Sequence, residues 1–114
     1  MVVAEALRDP RIDTHAHVLN LCEVFYDLHR RGGEPAATEA MADLEGLGVE
    51  VHEESPSTLW QSAARIKAIH RRVSLADCFA IALAQSLGGT VLTTDHHEFD
   101  AIAAAGVCVV EFIR

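Results

Sequence analysis

The sequence predicts an α/β domain with helices on both faces of a parallel sheet of about four strands, and three observations carry that prediction. At 114 residues and 12.4 kDa the chain suits one small domain over residues 1–114 and has no room for a barrel of repeated βα units. Half of the residues are apolar and only 5% are aromatic, so the core is aliphatic, while 23% charged residues is ordinary for a folded protein. Short apolar runs of strand character alternate with segments of helical spacing, and glycines punctuate the joins.

Residues 2–8 read as the tail of a helix halted at Asp9-Pro10, because proline restricts the residue before it and cannot continue helical bonding. Residues 11–16 form a short strand. Asn20 stands near the start of a helix to Arg31, with Leu21, Val24, Phe25 and Leu28 at helical spacing and Gly32-Gly33 as its stop. A helix over 35–47 follows, with Pro35 at a favoured first position, an apolar stripe of Ala37, Met41, Leu44 and Leu47, and Gly48 closing it. Residues 49–52 form a strand, and Ser55-Pro56 has the form of an N-cap and first-turn proline opening a helix to about His70. Ser74 opens the next helix, with Asp77 three residues on. Its run to Leu87 is almost wholly apolar, as for a helix buried on several sides, and Gly88-Gly89 ends it. Residues 90–93 are a buried strand, 98–105 a short helix ended by Gly106, and 107–113 a last apolar strand.

Nine Lys plus Arg against seventeen Asp plus Glu give a net charge of -8, which argues against a coat protein held on nucleic acid by bulk electrostatics but leaves a nuclease open. Residues 1–57 carry four basic and twelve acidic side chains, residues 58–114 five of each, and Arg65, Lys67, Arg71 and Arg72 form the basic patch. Cys22, Cys78 and Cys108 are odd in number and far apart, so neither a disulfide framework nor a zinc knuckle is expected and a reducing cytoplasm fits. No stretch has the length of a membrane span, and Glu5, Arg8 and Asp9 interrupt the apolar start as no signal peptide would.

In a parallel sheet, functional groups gather beyond the carboxyl ends of the strands. Asp95 directly follows the strand over 90–93, and Asp77 lies in the first turn of the helix leading into that strand, so both carboxylates come to one edge. Glu23 follows the strand over 11–16 by the same geometry, with Asn20 one turn earlier. Hard divalent cations take such oxygen ligands and suit phosphodiester hydrolysis. Taken singly, Asp77 is also a good third residue of a capped helix and Asp95 a good N-cap, whereas Glu23 has the apolar neighbours Cys22 and Val24, beside which an unpaired carboxylate is costly.

Asn20-Leu21-Cys22-Glu23-Val24, Ser74-Leu75-Ala76-Asp77-Cys78-Phe79-Ala80 and Val91-Leu92-Thr93-Thr94-Asp95-His96-His97-Glu98-Phe99 resemble, in order and spacing, the three later motifs of the PIN-domain nucleases, especially the VapC-type toxins. The resemblance runs from about residue 11 to the end. It implies a Rossmann-like α/β/α sandwich and Mg²⁺- or Mn²⁺-dependent endoribonuclease chemistry, with Glu23, Asp77 and Asp95 as the catalytic and metal-binding acids. Thr93 then matches the supporting hydroxyl, Glu98 an accessory acid, and Asn20 a supporting amide. It also implies an RNA substrate, a cognate antitoxin and a homodimer. The chain departs from the family's opening pattern of hydrophobic-Asp-Thr/Ser on a central first strand, because Asp13-Thr14 has those letters but sits in the second strand. A gap there would be met by re-closure of the sheet, by a second chain, or by a longer sequence, and it keeps a catalytically inactive PIN-like binding module as the alternative.

His15-Ala16-His17 resembles the H-x-H opening of TatD-like hydrolases, and residues i and i+2 on a strand share a face and can share a metal such as nickel or zinc. That fold is a (β/α)₈ barrel of roughly 200 residues or more, which this chain cannot build. His96-His97 beside Asp95 are candidates for a phosphate or metal contact or for an exposed loop without a role. Arg71 and Arg72 precede the helix of Asp77 and are placed to bind RNA phosphates at the rim, or else to form a solvated helix end. Tyr26 and Trp60 fit a core or dimer contact better than a base-stacking platform.

Overall fold

Five strands hydrogen-bond into one sheet in the order β3-β2-β1-β4-β5, in a computed structural model that describes residues 3–6, 13–93 and 96–112. The strands are β1 (Val3–Ala6), β2 (Asp13–His17), β3 (Glu50–His52), β4 (Gly89–Thr93) and β5 (Val109–Phe112). The helices are α1 (Val18–Gly32), α2 (Glu34–Gly46), α3 (Ser57–Ile69), α4 (Leu75–Leu87) and α5 (His96–Ala104). Every helix after the first strand and every later strand agrees with the sequence reading to within a few residues. The stop at Asp9-Pro10, positions 11 and 12 and residue 113 lie outside the described residues.

β1 corrects the prediction of a helix tail over 2–8. Residues 3–6 occupy the centre of the sheet, antiparallel to both β2 and β4, so the sheet has five strands rather than four and is mixed rather than parallel. Only residues 7–12 separate β1 from β2, too few for the crossover that parallel neighbours need, and antiparallel pairing follows. With β1 in place the sheet is closed by its own chain, and the backbone groups that β2 and β4 would otherwise leave orphaned are paired. The outer pairs are parallel, β2 with β3 across α1 and α2, and β4 with β5 across α5.

α4 is the hub of the packing. It lies against β1, β2 and β4 and against α1 and α3, and its residues 80–84 are all buried, which no surface helix with a single apolar stripe allows. Ile81 joins Val91, Phe99 and Ile102 as fully buried side chains in a core that also holds Leu59, Ile66 and Leu83. Ser74 caps α4 as its sequence position indicates, its Oγ accepting the Asp77 N–H at 3.1 Å. At the other end Gly88 takes the left-handed conformation, φ 65°, and its N–H closes on Ala84 and Gln85 carbonyls.

Two local readings are corrected. Ser55 does not cap α3; Pro56 occupies the cap position without a side-chain bond, and the Ser55 hydroxyl instead meets His17 Nε2 at 2.8 Å. His17 is itself the N-cap of α1, its Nδ1 accepting the Leu19 N–H at 3.1 Å, so Nε2 carries the proton and donates to Ser55. Burial, and secondarily His52, lower the His17 pKa and keep the ring in this neutral form. Tyr26 and Trp60 are exposed rather than enclosed in the core. All three cysteines are free thiols, and burial pushes Cys78 and Cys108 up to about 11.

Lys67 leaves the basic patch to serve the fold. Its ammonium donates to the carbonyls of Arg71 at 2.8 Å and Val73 at 2.7 Å, fixing the turn that aims α4. Lys67→Met removes two charge-assisted bonds and is expected to destabilise the chain by about 1 to 3 kcal/mol, read as a lower urea midpoint with an unchanged slope.

Candidate active site

The site is made by three helix beginnings at one edge of the sheet. α1 starts directly after the carboxyl end of β2, α4 runs antiparallel into β4, and α5 begins two residues beyond β4. Asn20 and Glu23 therefore come from the first turns of α1, Asp77 from the first turn of α4, and Glu98 from the first turn of α5. Helix N-termini carry partial positive charge, which favours carboxylates there.

Asn20 is buried and its Nδ2 donates to Asp77 Oδ1 at 3.2 Å, tying α1 to α4. With Nδ2 turned to Asp77, Asn20 Oδ1 is a buried acceptor with no hydrogen-bond partner among the described residues. Asp77 is buried as well, and it shares a side-chain hydrogen bond with Glu98. Burial first, then that bond and the charges of Glu98 and Glu23, push the Asp77 carboxyl up to about 7, against a smaller opposing effect of the Ser74 cap. Glu23 is also raised, by desolvation and then by Glu98. Burial and the neighbouring acids thus both oppose charge on Asp77.

The structure brings Asn20, Asp77, Glu98 and Glu23 to one corner. One expectation is reversed: Glu23 is exposed despite its neighbours Cys22 and Val24, and Asp77 is the desolvated acid. Asp95, the third acid predicted for the site, lies outside the described residues. Thr93 is buried at the last position of β4, in register with Phe112. Asp13 sits exposed at the opposite, amino end of β2, away from this edge. Arg71 and Arg72 are exposed in the turn before Ser74. His15 and His17 share a face of β2 but not a ligand, since His17 is committed to Leu19 and Ser55.

In open α/β sheets the crevice beyond the carboxyl ends of the strands is where ligands bind, and the acidic groups of this corner stand there. The PIN domain family matches residues 1–105, and the chain belongs to that family. PIN domains are generally nucleases and typically metal-dependent. No curated protein matches the sequence individually. No helix among the described residues is long and apolar enough to cross a membrane.

The Asp77 shift has a sign that can be tested. The folded chain holds this proton more tightly than the unfolded chain, so the stability it contributes is complete below about pH 4 and is lost as pH rises to about 7. Asp77→Asn keeps the acceptor for Asn20 and adds a donor for Glu98. Without metal it is expected to be more stable than the parent by roughly 2 to 4 kcal/mol at pH 8, with the gain vanishing near pH 4 in paired thermal melts.

Proposed function

We propose that the chain is a divalent-metal-dependent endoribonuclease of the PIN type, the toxin of a toxin–antitoxin pair, hydrolysing RNA phosphodiesters with Mg²⁺ or Mn²⁺ at Glu23, Asp77 and Asp95. The observation that carries this reading is the buried Asn20 Oδ1, without a hydrogen-bond partner among the described residues, in a corner it forms with buried Asp77 and the more accessible acids Glu98 and Glu23, an oxygen-only set of acceptors. Oxygen-only donor sets of this kind fit hard dications. Glu23, Asp77 and Asp95 would hold the ion, with Asn20, Thr93 and Glu98 supporting them. When bound, it supplies activation of water and neutralisation of charge on the transferring phosphoryl group.

The chain's own groups divide the remaining work. Asn20 Nδ2 fixes the rotamer of Asp77 across the helix pair. Glu98 hydrogen-bonds the Asp77 carboxyl from the start of α5 and so helps to orient it. With a net charge of -8, RNA is held by few cations, and the exposed guanidinium groups of Arg71 and Arg72 stand next to the α4 start for that purpose. Exposed Tyr26, Leu47 and Val51 support a homodimer, and a basic side chain of an antitoxin would complement the acidic corner.

One observation favours the inactive PIN-like module as a second reading. Antiparallel β1 sets Val3 opposite Leu92, so among the described residues the central strand brings no acid to this edge. Cleavage of a structured RNA with Mn²⁺, stopped by chelation, separates the two. On the enzyme reading Glu23→Gln, Asp77→Asn and Asp95→Asn each fall to background, while Asn20→Ala loses roughly 10- to 100-fold as a ligand-orienting group does. Full activity in any of the three acid variants contradicts the site, and a parent chain inert with every divalent ion supports the module.

A further inference from the structure

We propose a second metal site, made by His15, Glu50 and His52 on the β2–β3 seam and selective for a borderline transition ion of the Zn²⁺ class. It shares no ligand with the acidic corner.

The ladder produces the cluster. β2 and β3 are parallel with His15 opposite Glu50 and His17 opposite His52. Side chains alternate along a strand, so the H-x-H of β2 and the E-x-H of β3 place four polar groups on one face. His15 Nδ1 lies 2.8 Å from His52 Nε2 and 3.1 Å from Glu50 Oε2. One ligand atom from each of the three residues lies within 4.8 Å of the others. Tetrahedral Zn²⁺ with bonds near 2.1 Å separates its ligands by roughly 3.4 Å, inside the range these atoms already span.

The donor chemistry sets the selectivity. Two imidazoles and one carboxylate suit Zn²⁺, Ni²⁺ or Cu²⁺, whereas Mg²⁺ prefers oxygen alone. His15 is buried, Glu50 is largely exposed, and His52 lines a cleft of about 410 Å³ with Pro56, Thr58 and Ala82, leaving an open side for solvent or an added ligand. His17 stands behind His52 as a locked neutral neighbour, its Nε2 on Ser55 and its ring against Phe79 at 4.8 Å between centroids. A neutral imidazole carries one ring proton, so when the ion takes the Nδ1 lone pair of His15 that proton sits on Nε2. Bound metal would clasp the edge strand β3, three residues long, to β2.

Calorimetric titration of the full chain with ZnCl₂ and separately with MgCl₂ tests the site, in the parent, Glu50→Gln, the double variant Glu50→Gln with His52→Asn, and Asp77→Asn. The expected result is one Zn²⁺ per chain, at least tenfold weaker binding in Glu50→Gln, loss in the double variant, and unchanged Zn²⁺ binding in Asp77→Asn. Co²⁺ should give intense visible bands of a tetrahedral site in the parent and in Asp77→Asn. Glu50 is exposed, so its variant reports even where the double variant fails to fold. Equal Zn²⁺ affinity in the parent and Glu50→Gln, loss of Zn²⁺ binding in Asp77→Asn, or no Zn²⁺ binding by the parent would each overturn the proposal.

Discussion

The hydrogen bond from Asn20 to Asp77 joins the first turn of α1 to the first turn of α4, 57 residues away in sequence, and the acidic corner depends on it. It holds a carboxyl group in a place where burial and two neighbouring acids oppose its charge. The Ser74 cap offsets this only in part, and Asn20 leaves an acceptor without a hydrogen-bond partner among the described residues. A buried polar network only partly satisfied is unfavourable for folding alone, and in natural proteins such places tend to be sites of function. The structural expense is borne by α4, whose burial among sheet and helices anchors one end of the bond.

Most of the architecture was legible because its signals are local. Ser74 with Asp77, the apolar run that follows, and Gly88 specify α4 almost residue by residue. The placement of Glu23 and Asp77 at one edge was legible for the same reason: α1 begins where β2 ends and α4 runs back into β4, so sheet geometry brings both helix starts together. The exposure of Glu23 was not, because apolar sequence neighbours on a helix point to different sides and say little about the residue between them.

What was missed is non-local. Val3–Ala6 contains Ala and Glu, good helix formers, yet two flanking strands offer pairing on both sides, and tertiary context overrides propensity. Ser55 before a proline has the letters of a cap, but a histidine 38 residues away takes its hydroxyl. The H-x-H of β2 was visible in the sequence while its completion by Glu50 and His52 was hidden in the register of a parallel pair. Lys67 looked like part of a basic patch until the turn it binds was seen.

The two polar centres differ in kind. One is an oxygen-rich corner between helix starts, the other a nitrogen-rich cluster on the outer strands, so on the proposals made for them they would favour hard and borderline cations respectively. The measurement that bears most directly on the acidic corner is a carboxyl-carbon NMR titration of Asp77 with and without Mg²⁺. The account predicts titration near pH 7 in the absence of metal and a marked downward shift when Mg²⁺ is added, because a bound dication favours the charged form. Titration near pH 4, unmoved by Mg²⁺, would contradict it.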